Sequence, residues 1–105
     1  MREIKFRAWD GGHMLSMPIC TIFGLSRFFG FLSDDAIIMQ FTGLKDKNGK
    51  EIYEGDLVHS DSSYYNKPIT VYWNNEMTGY FPLLSMRPEQ LSVIGNIYEN
   101  PELIK

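Results

Sequence analysis

The sequence predicts a mainly β domain, a small barrel or paired antiparallel sheets with little helix. Three observations predict it. Short runs rich in β-branched and aromatic residues recur along the 105-residue chain. Clusters of Gly, Asn, Asp and Pro separate them at intervals of about 8–12 residues. No stretch carries the apolar spacing of a long amphipathic helix.

The elements follow in order. "EIKFRAW" alternates, with Ile4, Phe6 and Ala8 on one face and Lys5, Arg7 and Trp9 on the other, the pattern of a half-buried strand. Asp10, Gly11 and Gly12 supply a tight turn, and "HMLSM" returns as a second strand. "PICTIFGLSRFFGFLSDD" is apolar but broken by Pro18, Gly24 and Gly30. A short helix and an irregular strand both fit it. "AIIMQFTGL" reads as a strand. "DKNG" places Gly49 where a left-handed backbone is needed, and so joins two antiparallel strands. "KEIY" resumes the pairing, Gly55 turns the chain, and "LVHS" is a further strand. Asp56 can bond back to a nearby amide and tighten that turn. After "DSSYYNK", "PITVYW" is a strand and "NNEMTG" a turn. "YFPLL" is a strand that Pro82 demotes to an edge or a bulge. "LSVIGNIYE" is the last strand, and its Gly95 suggests a bulge or a close backbone approach. "NPELI" gives one helical turn, with Asn100 as N-cap and Pro101 first inside.

This length holds one domain, residues 1–105. The formal charge of −3 gives no general attraction for polyanions. Cys20 is alone, so neither a disulfide framework nor a cysteine metal site is expected. That fits a reducing cytoplasm. The N-terminus lacks the apolar core of a signal peptide, and no apolar run is long enough for a membrane helix.

"FTGLKDKNGKEIYEGDLV", from Phe41 to Val58, looks like a functional signature. A phosphate cradle needs glycines leading into a helix, with Lys beside Ser or Thr. Here Gly43, Gly49 and Gly55 are evenly spaced among strand formers. They are expected to serve turns, register and closure.

"MREIKFRAWD", "MQFTGLKDKNGKEIYEGDLV" and "VIGNIYENPEL" stand in an order that resembles the YopX family of bacteriophage and prophage proteins. The resemblance spans Met1–Asp10, Met39–Val58 and Val93–Leu103. It implies a phage-derived, mainly β protein with an SH3-like barrel portion, from a bacterial cytoplasm. It carries over no catalytic residues.

Candidate residues fall into three groups. The carboxylates Glu51, Glu54 and Asp56, with His13 or His59, are the material for acid–base chemistry. Neither histidine has a motif partner, so no catalytic residue, metal or other cofactor is expected. The second group is basic. Residues 1–50 carry seven Lys/Arg against five acids, and residues 51–105 carry three against eight. Arg2, Lys5, Arg7, Trp9, Lys45, Lys47 and Lys50 are the candidate nucleic-acid contacts. The third group is apolar. Phe28, Phe29 and Phe31 cannot all face inward on one strand. Tyr64 and Tyr65 sit in a polar loop, and Tyr72 and Trp73 follow. These aromatics suit a protein interface or self-association.

The expected function is therefore binding, without catalysis, of a host or phage protein. A small nucleic-acid-binding barrel is the alternative, and a hydrolase-type enzyme the third reading. A continuous basic stripe beside exposed aromatics favours nucleic acid. Acids and a histidine converging in one concavity favour the enzyme. An aromatic patch with charge at its rim favours a protein.

Overall fold

The computed structural model describes residues 4–16, 28–61 and 66–104. The chain is mainly β, and every strand pair is antiparallel. The strands are β1 (Phe6–Asp10), β2 (His13–Ser16), β3 (Ile37–Lys45), β4 (Glu51–Tyr53), β5 (Asp56–Ser60), β6 (Ile69–Thr70), β7 (Tyr72–Asn74), β8 (Gly79–Phe81) and β9 (Leu91–Asn96). They form a four-stranded sheet in the order β2-β1-β3-β4, a three-stranded sheet β6-β5-β9 and a hairpin β7-β8. Residues 28–31 are helical, and 3-10 turns occupy Pro88–Gln90 and Pro101–Ile104.

Sequence and structure differ in three places. "PITVYW" is two strands, because its halves pair with different partners: Ile69–Thr70 with β5, and Tyr72–Asn74 with β8. Between them Val71 still bonds the start of β5, its amide donating to the Asp56 carbonyl and its carbonyl accepting from Gly55 N–H. "YFPLL" stops at Phe81, where Pro82 follows through a cis peptide and offers no donor. Asn100 turns its side chain back to accept the Asn96 amide rather than one from the helical turn. In the undecided stretch, residues 17–27 lie outside the described residues, and 28–31 take the helical alternative.

The main core gathers Ile52, Val58, Val71, Tyr80 and Leu91, with Ile69, Leu83, Met86 and Val93 packed against it. A smaller cluster pairs Ala8 with Phe28, flanked by Phe6 and Leu32. Here the helical turn covers the middle of one face of the four-stranded sheet. Ser33 anchors that turn, donating from both its amide and its hydroxyl to the Asp10 carboxylate.

The two larger sheets join at the turn after β3. Gly43 (φ 90°) lies where the β3–β4 register shifts, between the Phe41↔Tyr53 and Lys45↔Glu51 pairs. Gly49 (φ 81°) closes the loop. Asp46 organises it: one carboxylate oxygen accepts the amides of Asn48 and Lys50, and the other accepts Val93 on β9. Lys47 N–H adds a bond to the Leu91 carbonyl. On β9 the register slips between Val93 and Gly95 opposite Val58 and Leu57. Gly95 thus marks a bulge, and a Cβ there would collide with Asn100.

Candidate functional site

Alternation and register give the four-stranded sheet two chemically different faces. Lys5 and Arg7 lie on one. Arg7 donates to the Asp56 carboxylate at 2.7 Å and to the Glu54 carbonyl at 3.2 Å, and its guanidinium stacks over Tyr53. The other Asp56 oxygen accepts the Tyr53 amide at 2.8 Å. The expected bond from Asp56 to a nearby amide is therefore present, together with a buried ion pair between sheets. Burial pushes the Asp56 carboxyl above its usual range, against the opposing pull of Arg7 and the Tyr53 amide. Burial, then the Glu51 charge, also pushes the Tyr53 phenol up. Gly55 (φ 84°) sits in this turn, where an added Cβ would press on Met39 and Tyr98.

Lys5, Arg7 and Lys50 line one concavity of about 270 Å³, with Met14, Ser16, Glu51 and Tyr53. Each of the first two cations has an acid beside it: Lys5 pairs with Glu51, as Arg7 does with Asp56. Trp9 follows Arg7 on the same face and stacks on Tyr98. Lys47 pairs with Asp61, and Lys45 is exposed at the end of β3. Arg2 lies outside the described residues. The described residues therefore form a charged pocket rather than a continuous basic stripe.

The opposite face carries the apolar candidates. Ala8 pairs with Leu15 on one side and Ile38 on the other, so three apolar side chains form a row. Phe28 covers Ala8 and is buried, whereas Phe29 and Phe31 are 40% and 85% exposed. Phe29 packs at 5.7 Å from Phe6. Ile4, Leu15 and Ile38 remain partly exposed on the same face. Tyr64 and Tyr65 lie outside the described residues, as does Cys20.

Where that face meets the main core there is a third feature. Gln40, Glu54, Trp73 and Tyr80 line a concavity of about 440 Å³. Glu54 accepts the Gln40 amide at 2.6 Å, and Tyr80 donates to the Gln40 side-chain oxygen at 3.4 Å. The Trp73 and Tyr80 rings meet at 78° with centroids 5.1 Å apart.

The acids do not converge with a histidine. Glu51 and Asp56 serve ion pairs, Glu54 faces the aromatic concavity, and His13 and His59 are exposed. Among the described residues no group of three metal-binding side chains is present. Nor is any helix long and apolar enough to cross a membrane. Sequence reasoning missed Asp46 and the meeting of Glu54 with Gln40, Trp73 and Tyr80. The first had a signal, an Asp three residues before a turn glycine. The second had none, because its members are up to 40 residues apart and meet only through strand pairing.

The fold and these features define a small antiparallel β domain with a curled, barrel-like sheet arrangement. The YopX protein family model matches residues 24–105, and the chain belongs to that family. The match leaves out the Met1–Asp10 block. In the solved structures the chain is similar to protein EF1440 from Enterococcus faecalis, with 28% identity, full coverage of both chains and a TM-score of 0.66. No curated protein matches.

Proposed function

We propose that the protein acts by binding another protein, without catalysis or a cofactor, in the bacterial cytoplasm during the life of a phage or prophage. The observation that supports this is the open apolar face. Phe31 is 85% exposed next to Phe29, and Leu15 and Ile38 stay partly exposed on either side of the buried Ala8. A soluble domain that presents such a patch gains by covering it. The phage setting follows the family's usual source.

The nucleic-acid alternative has less support. Lys5, Arg7 and Lys47 each have an acidic partner.

The test is capture from host lysate with and without nuclease, comparing wild type with Phe31→Ser and Leu15→Ser. The reading expects a protein that both variants lose and nuclease spares. Loss on nuclease treatment moves the assignment to nucleic acid. Sedimentation of wild type at tens of micromolar, far above nanomolar oligomer affinities, reads self-association through the same face. Capture that neither variant weakens, with a monomer in sedimentation, overturns the proposal.

A further inference from the structure

We infer that the concavity of Gln40, Glu54, Trp73 and Tyr80 is a receptor for a cationic side chain, an arginine guanidinium of the protein partner. The inference deepens the protein-binding reading, on which its biological sense rests, by giving the partner's chemistry at one point.

Three features carry it. The first is the sign of the polar groups. Among the described residues Glu54 supplies a carboxylate that makes no ion pair, Gln40 adds an amide oxygen, and no cation lines the concavity. Glu54 already takes the Gln40 amide on one oxygen. That bond fixes the carboxylate and leaves its second oxygen open, and each carboxylate oxygen can accept twice. The second is the aromatic pair. Trp73 and Tyr80 stand nearly perpendicular at 5.1 Å, so their planes make a corner rather than a flat stack. Aromatic faces attract a cation, and Trp attracts it best. The third is access. Trp73 is 45% exposed, and it and Glu54 also line the neighbouring groove of Ile37, Ile38, Tyr72 and Tyr98. A chain crossing that groove can lower one side chain into the corner.

Guanidinium suits the site better than ammonium. Its planar fork meets a carboxylate edge-on while its face stacks on an indole. The charged pocket of Lys5, Arg7 and Lys50 makes the contrast: there, acids already stand against two of the three cations.

The probe is N-acetyl-arginine methylamide, with the citrulline analogue as the neutral isostere and the lysine analogue as a second cation. Binding is read from the indole N–H resonance of Trp73, which the Trp73→Phe variant assigns against Trp9. The arginine compound is expected to shift that resonance saturably, about tenfold tighter than citrulline, because a charged hydrogen-bond partner distinguishes them. Glu54→Gln keeps the shape and the bond to Gln40, and is expected to abolish the preference with the spectrum otherwise unchanged. Equal binding of citrulline overturns the inference. So does an absence of saturation at about 50 mM, where a ligand of millimolar Kd is already bound. If Glu54→Gln disturbs the whole spectrum, Trp73→Leu decides, read from the backbone amide resonances of Gln40 and Glu54: retained arginine preference there also overturns the inference. Arginine binding together with failed capture through Phe31 leaves the pocket standing and removes only the protein-binding reading.

Discussion

Replacing Asp46 by alanine tests the account of how the two larger sheets are joined. The carboxylate takes three amides: Asn48 at 2.8 Å, Lys50 at 2.9 Å and Val93 at 2.8 Å. Asn48 and Lys50 lie in an exposed loop, where water can replace the lost acceptor. Val93 is half-buried within β9, and its amide would be stranded. One stranded donor costs about 1–3 kcal/mol, and the lost charge-assisted bonds raise the total to about 2–4 kcal/mol. With urea m-values of about 1–3 kcal/mol/M, the denaturation midpoint should fall by roughly 1–2 M. Asp46→Asn keeps one carbonyl oxygen for the loop amides and should lose about half as much. An alanine variant that matches wild type would refute the view that this residue holds the junction.

A pH arm sharpens the test. Burial pushes the Asp46 carboxyl up, but the amides of Val93, Lys50 and Asn48, with the Lys50 charge, outweigh it and hold it below its usual 3.8. A depressed folded value means stability that is full above 3.8 and lost as pH falls through the lower folded value. The gap between wild type and Asp46→Asn should therefore narrow as the pH falls below 3.8. A gap that stays constant refutes the ionic part of the account.

Other perturbations separate the remaining parts. Gly49→Val should cost about 1–3 kcal/mol through the positive φ alone, since a Cβ there meets nothing within 4 Å; an unchanged midpoint in urea would contradict this. Arg7→Met should cost about 3 kcal/mol at neutral pH by stranding Asp56. The Asp56 carboxyl is already raised, so its protonated form is favoured below 3.8 and its contribution falls as pH rises through the folded value. The Arg7→Met loss should therefore shrink in acid, and a loss independent of pH would refute the pairing. Thr78→Gly should stabilise by about 0.5–1 kcal/mol, because Thr78 is a β-branched residue at φ 49°. Phe31→Ser should leave the midpoint within about 0.5 kcal/mol of wild type, as expected for an exposed side chain; a larger drop would place Phe31 in the core.

Local signals made much of this fold legible. The alternation of Ile4 to Trp9 reports a half-buried strand, and glycines at 43, 49 and 55 all adopt positive φ. These features depend on neighbours within a few residues. "PITVYW" reads as one strand because nothing local shows that Ile69–Thr70 pairs with β5 while Tyr72–Asn74 pairs with β8. The site was less legible still. Arg7 reads as a nucleic-acid contact until Asp56, 49 residues away, is placed against it. Glu54 reads as one of three clustered acids until the turn sends it to the opposite face from its neighbours. A sequence shows which residues can carry charge, but pairing in space decides which charges remain available.

That distinction bears on where a partner can dock. On the Arg7 face, charge is largely consumed in holding sheets together. On the other face, the described helical residues 28–31 cover only part of the sheet. They bury Ala8 and leave Leu15, Ile38 and Phe31 open. Phe6, which touches Phe29, pairs directly with Gln40, which borders the Glu54–Trp73 concavity. The exposed apolar side chains flanking Ala8 and the acceptor-lined corner are therefore neighbours on one surface, with the Glu54 carboxylate at its rim. A partner that fits both would present an apolar ridge flanked by one basic side chain. The ridge would supply most of the affinity through burial. The fixed carboxylate would set the orientation, because a mispositioned basic group would leave its charge unpaired against protein.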